Sequence, residues 1–202
     1  MCFSVYSVVT YHAAYALDAV GIKSLYKTPG SPETSSMPED SFSMPTVGPD
    51  HERLKPFVGT FRTTVRLYMG PGDPMVQHGT MVNSFQVGGL YLHQDYTGDV
   101  SPGPFPAFLG RGYWGYNPHS SKYEGFWIDN ASSIMQMETG SVDASGKVWT
   151  MVSQLTSPAS GKPMTKTSVI RLIDENNHSM ETTMQEVGGP LLRTMEIDYV
   201  RA

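Results

Sequence analysis

From Thr60 onward the chain alternates between apolar and polar positions. Thr60 to Met69 sets Phe61, Val65, Leu67 and Met69 on one side and Arg62, Thr64, Arg66 and Tyr68 on the other, the period of two expected of a half-buried strand. Strand-type segments recur at 76–87, 90–97, 108–116, 122–129, 134–139, 148–156, 164–173, 179–187 and 192–201, about ten in all. Turn sequences separate them: Gly70-Pro71-Gly72-Asp73-Pro74, Gly88-Gly89, Gly98-Asp99, Asn117-Pro118-His119-Ser120-Ser121, Asn130-Ala131-Ser132-Ser133, Asp174-Glu175-Asn176-Asn177 and Gly188-Gly189-Pro190. Ser101-Pro102-Gly103-Pro104-Phe105-Pro106 reads as a stiff loop.

These connections are too short for the crossovers that parallel strands need, so the sheet is antiparallel and sequence neighbours pair. A meander of ten long strands leaves two unpaired edges unless it closes on itself. The predicted fold is therefore all-β: an antiparallel up-and-down barrel of about ten strands. A two-sheet Greek-key sandwich is the runner-up, but its strands usually run shorter.

Ahead of the strands, Pro49 to Val58 predicts one or two helical turns, with Asp50 as N-cap and Leu54 and Phe57 on one side. Residues 1–48 differ in composition. Met1 to Tyr26 is moderately apolar without a basic leader, and Thr28 to Ser36 has linker composition. The expectation is a poorly ordered extension over 1–48, with the working protein starting near Met37 and a barrel domain over 49–202. A short amphipathic helix over Tyr11–Leu25 is the alternative.

Composition narrows the function. Charged residues make up 16 % of the 202-residue chain, below the typical value of roughly 25 %, and the net charge is -5 without a basic run. Nucleic acid and anionic membrane surfaces are thus not expected partners. No apolar run reaches the 18 or so residues of a spanning helix. Cys2 is the single cysteine, so neither an internal disulfide nor a cysteine metal site can form. The expected location is the cytoplasm.

Val58-Gly59-Thr60-Phe61, Val87-Gly88-Gly89-Leu90-Tyr91-Leu92, Gly112-Tyr113-Trp114-Gly115-Tyr116-Asn117, Trp127-Ile128-Asp129-Asn130 and Met195-Glu196-Ile197-Asp198-Tyr199 occur in an order that resembles a bacterial domain-of-unknown-function family. Members open on a V-G-T-W type motif and carry W-x-D-N in mid-chain; Phe61 stands here in place of the Trp. The resemblance spans about Asp50 to Arg201. It implies a calycin-like barrel, similar in shape to lipocalins and fatty-acid-binding proteins, and brings no established activity.

Barrels of this size can enclose one small ligand, and several strands carry mixed chemistry on both faces. Thirteen Met, among them Met135, Met137, Met151, Met164, Met180, Met184 and Met195, read equally well as adaptable cavity lining or as core filler. The candidate ligand contacts are His93, Tyr113, Tyr123, Trp127, Asp129, Met137 and Glu196. Tyr123, Trp127 and Asp129 share one strand face; His93 and Asp95 share another, as do Glu196 and Asp198. Arg62 and Arg66 read as a solvated exterior pair. No nucleophile elbow, phosphate loop or H-E-x-x-H is present, and no motif names a cofactor or a metal. The sequence thus points to a non-catalytic binding barrel for a small, partly apolar molecule. The alternatives are an enzyme using a carboxylate or His in the cavity, and a haem-binding barrel of the nitrobindin kind. For haem, His78, His93, His119 and His178 are available, the last two expected in turns.

Overall fold

A computed structural model describes residues 44–100 and 106–202. The extension expected over 1–48 falls almost wholly outside the described residues, as does most of the Ser101–Pro106 loop. The unit that carries the fold runs from Pro45 to Ala202.

Ten strands follow one another: β1 Gly59–Leu67, β2 Met75–Gln86, β3 Tyr91–Gly98, β4 Leu109–Asn117, β5 Lys122–Asp129, β6 Gln136–Val142, β7 Val148–Thr156, β8 Pro163–Leu172, β9 Asn177–Glu186 and β10 Leu192–Arg201. Each pairs antiparallel with its sequence neighbour, and β1 pairs with β10 from Phe61↔Arg201 to Leu67↔Met195. The sheet is a closed up-and-down barrel, so no edge remains and the sandwich is excluded.

One end of the barrel is stoppered by helix α1 (Pro49–Glu52) and a 3₁₀ turn at Lys55–Phe57. Gly48, not Asp50, is the N-cap: Pro49 takes the first helical position, where its missing N–H costs nothing, and Asp50 falls in the first turn. The Gly48 N–H donates to His51 Nδ1 at 3.1 Å. Leu54 and Phe57 point down the barrel and are buried. Phe57 sets its edge on Trp149 at 5.0 Å and on Trp114 at 6.1 Å, within a cluster completed by Leu92, Tyr123, Met151 and Ile170.

Three strands tie this plug down. Asn83 Nδ2 on β2 donates to the Phe57 carbonyl at 2.9 Å, and the Tyr123 hydroxyl on β5 donates to the Asp50 carbonyl at 3.1 Å. Burial pushes that hydroxyl's pKa up to about 12, so it remains a donor across the physiological range. From β10, Arg201 donates to the carbonyls of Pro56 and Val58 at 2.9 and 2.8 Å while its guanidinium lies 4.6 Å over the Phe61 ring.

The strand bounds agree with the alternation to within a few residues. The largest difference is β6, which runs Gln136–Val142 where 134–139 was expected. Asp129 Oδ1 accepts from the N–H groups of Ala131 and Ser132, and Asn130 bonds back to Leu109 and Ala107, so the chain turns wide before it rejoins the ladder at Trp127↔Gln136. Outside, Arg62–Asp99, Arg66–Asp198 and Arg111–Asp95 form exposed ion pairs at 2.7, 2.6 and 2.8 Å, which contribute little stability individually.

Candidate functional site

Above the plug the barrel encloses a cavity of about 350 Å³. The room comes from the glycine-rich mid-chain. On β4, Gly110 and Gly112 face inward, and a Cβ on either would collide with the Trp127 indole on the paired strand β5. Trp127 therefore lies flat against β4 instead of crossing the lumen. Gly125 receives Trp114 in the same way, since Gly125 and Trp114 are cross-strand partners.

The lining has two characters. Val65 and Leu67 on β1, Met81 on β2, Met180 on β9, and Met195 and Ile197 on β10 make an apolar wall. Continuing around the barrel from it, Lys166 and Ser168 on β8 and Gln136 and Glu138 on β6 make a polar one. Lying flat on Gly125, Trp114 aims its Nε1–H at Glu138 Oε1, 2.8 Å away. Lys166 donates from Nζ to Gln136 Oε1 at 3.0 Å and sits 3.9 Å from Glu138 Oε2. Both charged side chains are nearly buried, at 13 % and 12 % exposure, so they are held as a pair in a largely apolar space. Ser168 and Thr182 share a hydrogen bond at 3.3 Å on the same side.

Two more polar groups reach the cavity from the plug end. Asn83 is buried and lines it; its Nδ2 is committed to Phe57, but its Oδ1 has no hydrogen-bond partner among the described residues. His178 lines it as well. Its ring stacks on Tyr199 with centroids 4.1 Å apart and stands nearly perpendicular to Phe57 and Phe61 at 5.1 and 4.7 Å. Burial, and then the nearby Arg201 charge, push its pKa down to about 3, so the imidazole is neutral at ordinary pH. Burial drives the Tyr199 hydroxyl in the opposite sense, upward.

The sequence-derived candidates fall in three places. Trp127 and Asp129 line the cavity, with Asp129 at the mouth, one carboxylate oxygen spent on the turn. Tyr123 faces inward but lies lower, in the packed cluster around the plug. His93, Tyr113, Met137 and Glu196 sit on the outer surface and do not reach the cavity. Their parity is set by their neighbours: Gly112 and Trp114 fill inward positions, so Tyr113 points out, and Gln136 and Glu138 do the same for Met137. His93, Tyr113, Phe126 and Met137 are in fact one transverse row, in register across β3 to β6. Glu196 accepts from the Tyr68 hydroxyl at 2.7 Å and from Arg193 at 2.6 Å, as a surface cluster.

Of the four histidines weighed for haem, His178 alone lines the cavity, and the expectation that it lies in a turn is corrected. Asp174 Oδ1 accepts from the N–H groups of both Asn176 and Asn177 at 2.8 Å, which tightens that turn and lets β9 start at Asn177. Among the methionines, Met81, Met180, Met184 and Met195 line the cavity, Met151 is core, and Met135 and Met137 are exposed. Lys166 and Asn83 were not among the sequence candidates. The available signal was a lone lysine in the inward series Met164, Lys166, Ser168, Ile170.

Among solved structures, the barrel is similar to the crystal structure of Rv2717c from M. tuberculosis: TM-score 0.55, 17 % identity, 78 % of this chain and 99 % of that one covered. A redesigned β-barrel matches at TM-score 0.40 and 15 % identity, over 74 % of this chain and 95 % of the other. At 17 % identity the likeness to the M. tuberculosis structure is one of fold. No curated protein sequence matches the chain. No helix among the described residues is long and apolar enough to cross a membrane. The family described as a protein of unknown function, DUF1579, matches residues 46–201, nearly all of the plug and barrel, and the chain belongs to it.

Proposed function

We propose that the protein is a non-catalytic binding barrel, a carrier or sensor for one small, partly apolar molecule. The observation that carries this reading is the cavity: about 350 Å³, walled on one side by aliphatic and methionine side chains and on the other by a short polar array. Pockets for small ligands start at about 300 Å³ and combine apolar lining with a few placed polar groups. Holding Lys166 and Glu138 inside the barrel costs desolvation, which a polar group of a bound guest would offset. Four methionines on the wall suit a guest of irregular outline, since a thioether chain repacks easily.

Native mass spectrometry of the full chain, purified gently and without detergent, tests this. A reproducible extra mass, released on denaturation and absent when Gly112→Val narrows the lumen, is the expected result. A clean apo mass together with failure to take up any apolar dye would refute it.

Haem is the second reading, and its specific support is His178. Its ring stacks on Tyr199, and an imidazole coordinates through the in-plane lone pair, which that stacking does not occupy. Titration with haemin decides it: a Soret band lost in His178→Ala supports haem, and no band removes it.

A further inference from the structure

We infer that the guest is uncharged: an apolar body bearing a hydroxyl, ester, amide or lactone oxygen that accepts from Lys166, with carboxylates discriminated against. This rests on the binding reading above and names the ligand class for the same cavity.

The charges of the lining carry the inference. Lys166 and Glu138 stand 3.9 Å apart and offset one another, and Asp129 at the mouth leaves the lining with a net -1. An anion brought to Lys166 would meet Glu138 at comparable range, so attraction and repulsion nearly cancel, and its lost hydration would go uncompensated. It would also pass Asp129 on the way in. An ammonium fares little better, because Lys166 repels it where Glu138 attracts it. Fatty-acid-like ligands therefore do not suit the site, despite the general likeness of shape to barrels that carry them.

The unfilled hydrogen-bonding capacity then says what an uncharged guest must offer. An ammonium group has three donors; Gln136 takes one at 3.0 Å, and Glu138 lies beyond hydrogen-bond reach. Among the described residues, two donors on a side chain that is 13 % exposed thus remain for an acceptor in the lumen. At the plug end Asn83, 3 % exposed, leaves Oδ1 unpaired and calls for an N–H or O–H. A hydroxyl serves at either place. The carbon skeleton fits against Val65, Leu67, Met81 and Met195.

The test is displacement of Nile red from the full chain at pH 7 by a ten-carbon series: decanol, decylamine and decanoate. Decanol should bind at least about tenfold more tightly than decanoate, whose carboxylate gives up its hydration to a site where Glu138 offsets Lys166. Decylamine should fall below decanol. Decanoate or decylamine equal to or tighter than decanol overturns the inference while leaving the binding reading intact. Failure of Nile red and of all three competitors to bind overturns both. In a second arm, Lys166→Met/Glu138→Gln removes the two charges together, so neither is left buried alone. It should keep Nile red and lose decanol by about tenfold; unchanged decanol affinity would unseat Lys166 as the donor. The head-group ranking is read on the unaltered chain and stands whether or not this variant folds.

Discussion

Acid should destabilise this barrel well before its carboxylates are protonated, and His178 is the reason. The folded-state pKa is lowered to about 3, against roughly 6.5 in an unfolded chain. The unfolded state therefore binds the extra proton between those limits and the native state does not. Stability rises with pH wherever the unfolded state binds more protons, so the contribution is complete above pH ~6.5 and is lost as pH falls toward 3. At about 1.4 kcal/mol per unit, taking the chain from pH 6.5 to 4 removes roughly 3 kcal/mol, a large share of a typical domain's 5–15. Urea unfolding at half-unit steps from pH 7.5 to 4 measures this. His178→Phe keeps a ring against Tyr199 but cannot titrate, so its curve should be flatter by that amount over the same window. Imidazole NMR gives an independent check: the His178 resonances should not titrate above pH ~4. Equal slopes for the two proteins, or a His178 that titrates near 6.5, would refute the reasoning. The depressed carboxyls of Asp99, Asp143, Asp174 and Glu186 act in the same direction but only at lower pH, and they are common to both proteins.

Other outcomes follow from the geometry. Arg201→Ala deletes donors to three backbone carbonyls, those of Pro56, Val58 and Glu175, and should cost about 2–3 kcal/mol in urea, while Arg62→Ala on the exposed Asp99 pair should stay within ~0.5. Gly112→Val should drive Trp127 off β4 into the lumen, destabilise by about 1–3 kcal/mol and abolish dye uptake, with a shift in tryptophan emission as the direct signal. Tyr113→Ser and Met137→Ser should leave dye affinity unchanged, because both side chains stand on the outer face; weakened binding in either would refute that placement.

Much of the architecture was legible because period-two alternation and turn chemistry are local signals. β5, β7 and β10 begin and end where the alternation does, each bounded by residues that can only turn. The site was harder, for a reason visible in β4 and β5. Both faces of these strands carry aromatic and polar groups, so alternation groups Trp127 with Asp129 and Tyr113 with Arg111 without saying which set is inside. What decides it is Gly110 and Gly112, whose missing side chains make the recess for Trp127, and that is a cross-strand relation between residues some fifteen positions apart. Glu138 and Lys166 meet only because β6, β7 and β8 are consecutive, and neither strand alone marks its charge as buried. His178 was misplaced by one tight turn: two hydrogen bonds to Asp174 let the strand begin at Asn177, two residues earlier than expected.

The pairing of β1 with β10 also has a consequence in time. Phe61 finds its partner Arg201 only after the whole intervening chain has been made. At roughly 5–20 residues per second, β1 waits on the order of ten seconds on the ribosome with one edge bare, and the plug waits with it for the arginine that fastens it. A nascent barrel of this kind is an open, sticky ribbon until its last strand arrives. Substitutions that weaken β10 should therefore show first as poor yield and aggregation in the cell, before any loss of stability is measured in the purified protein.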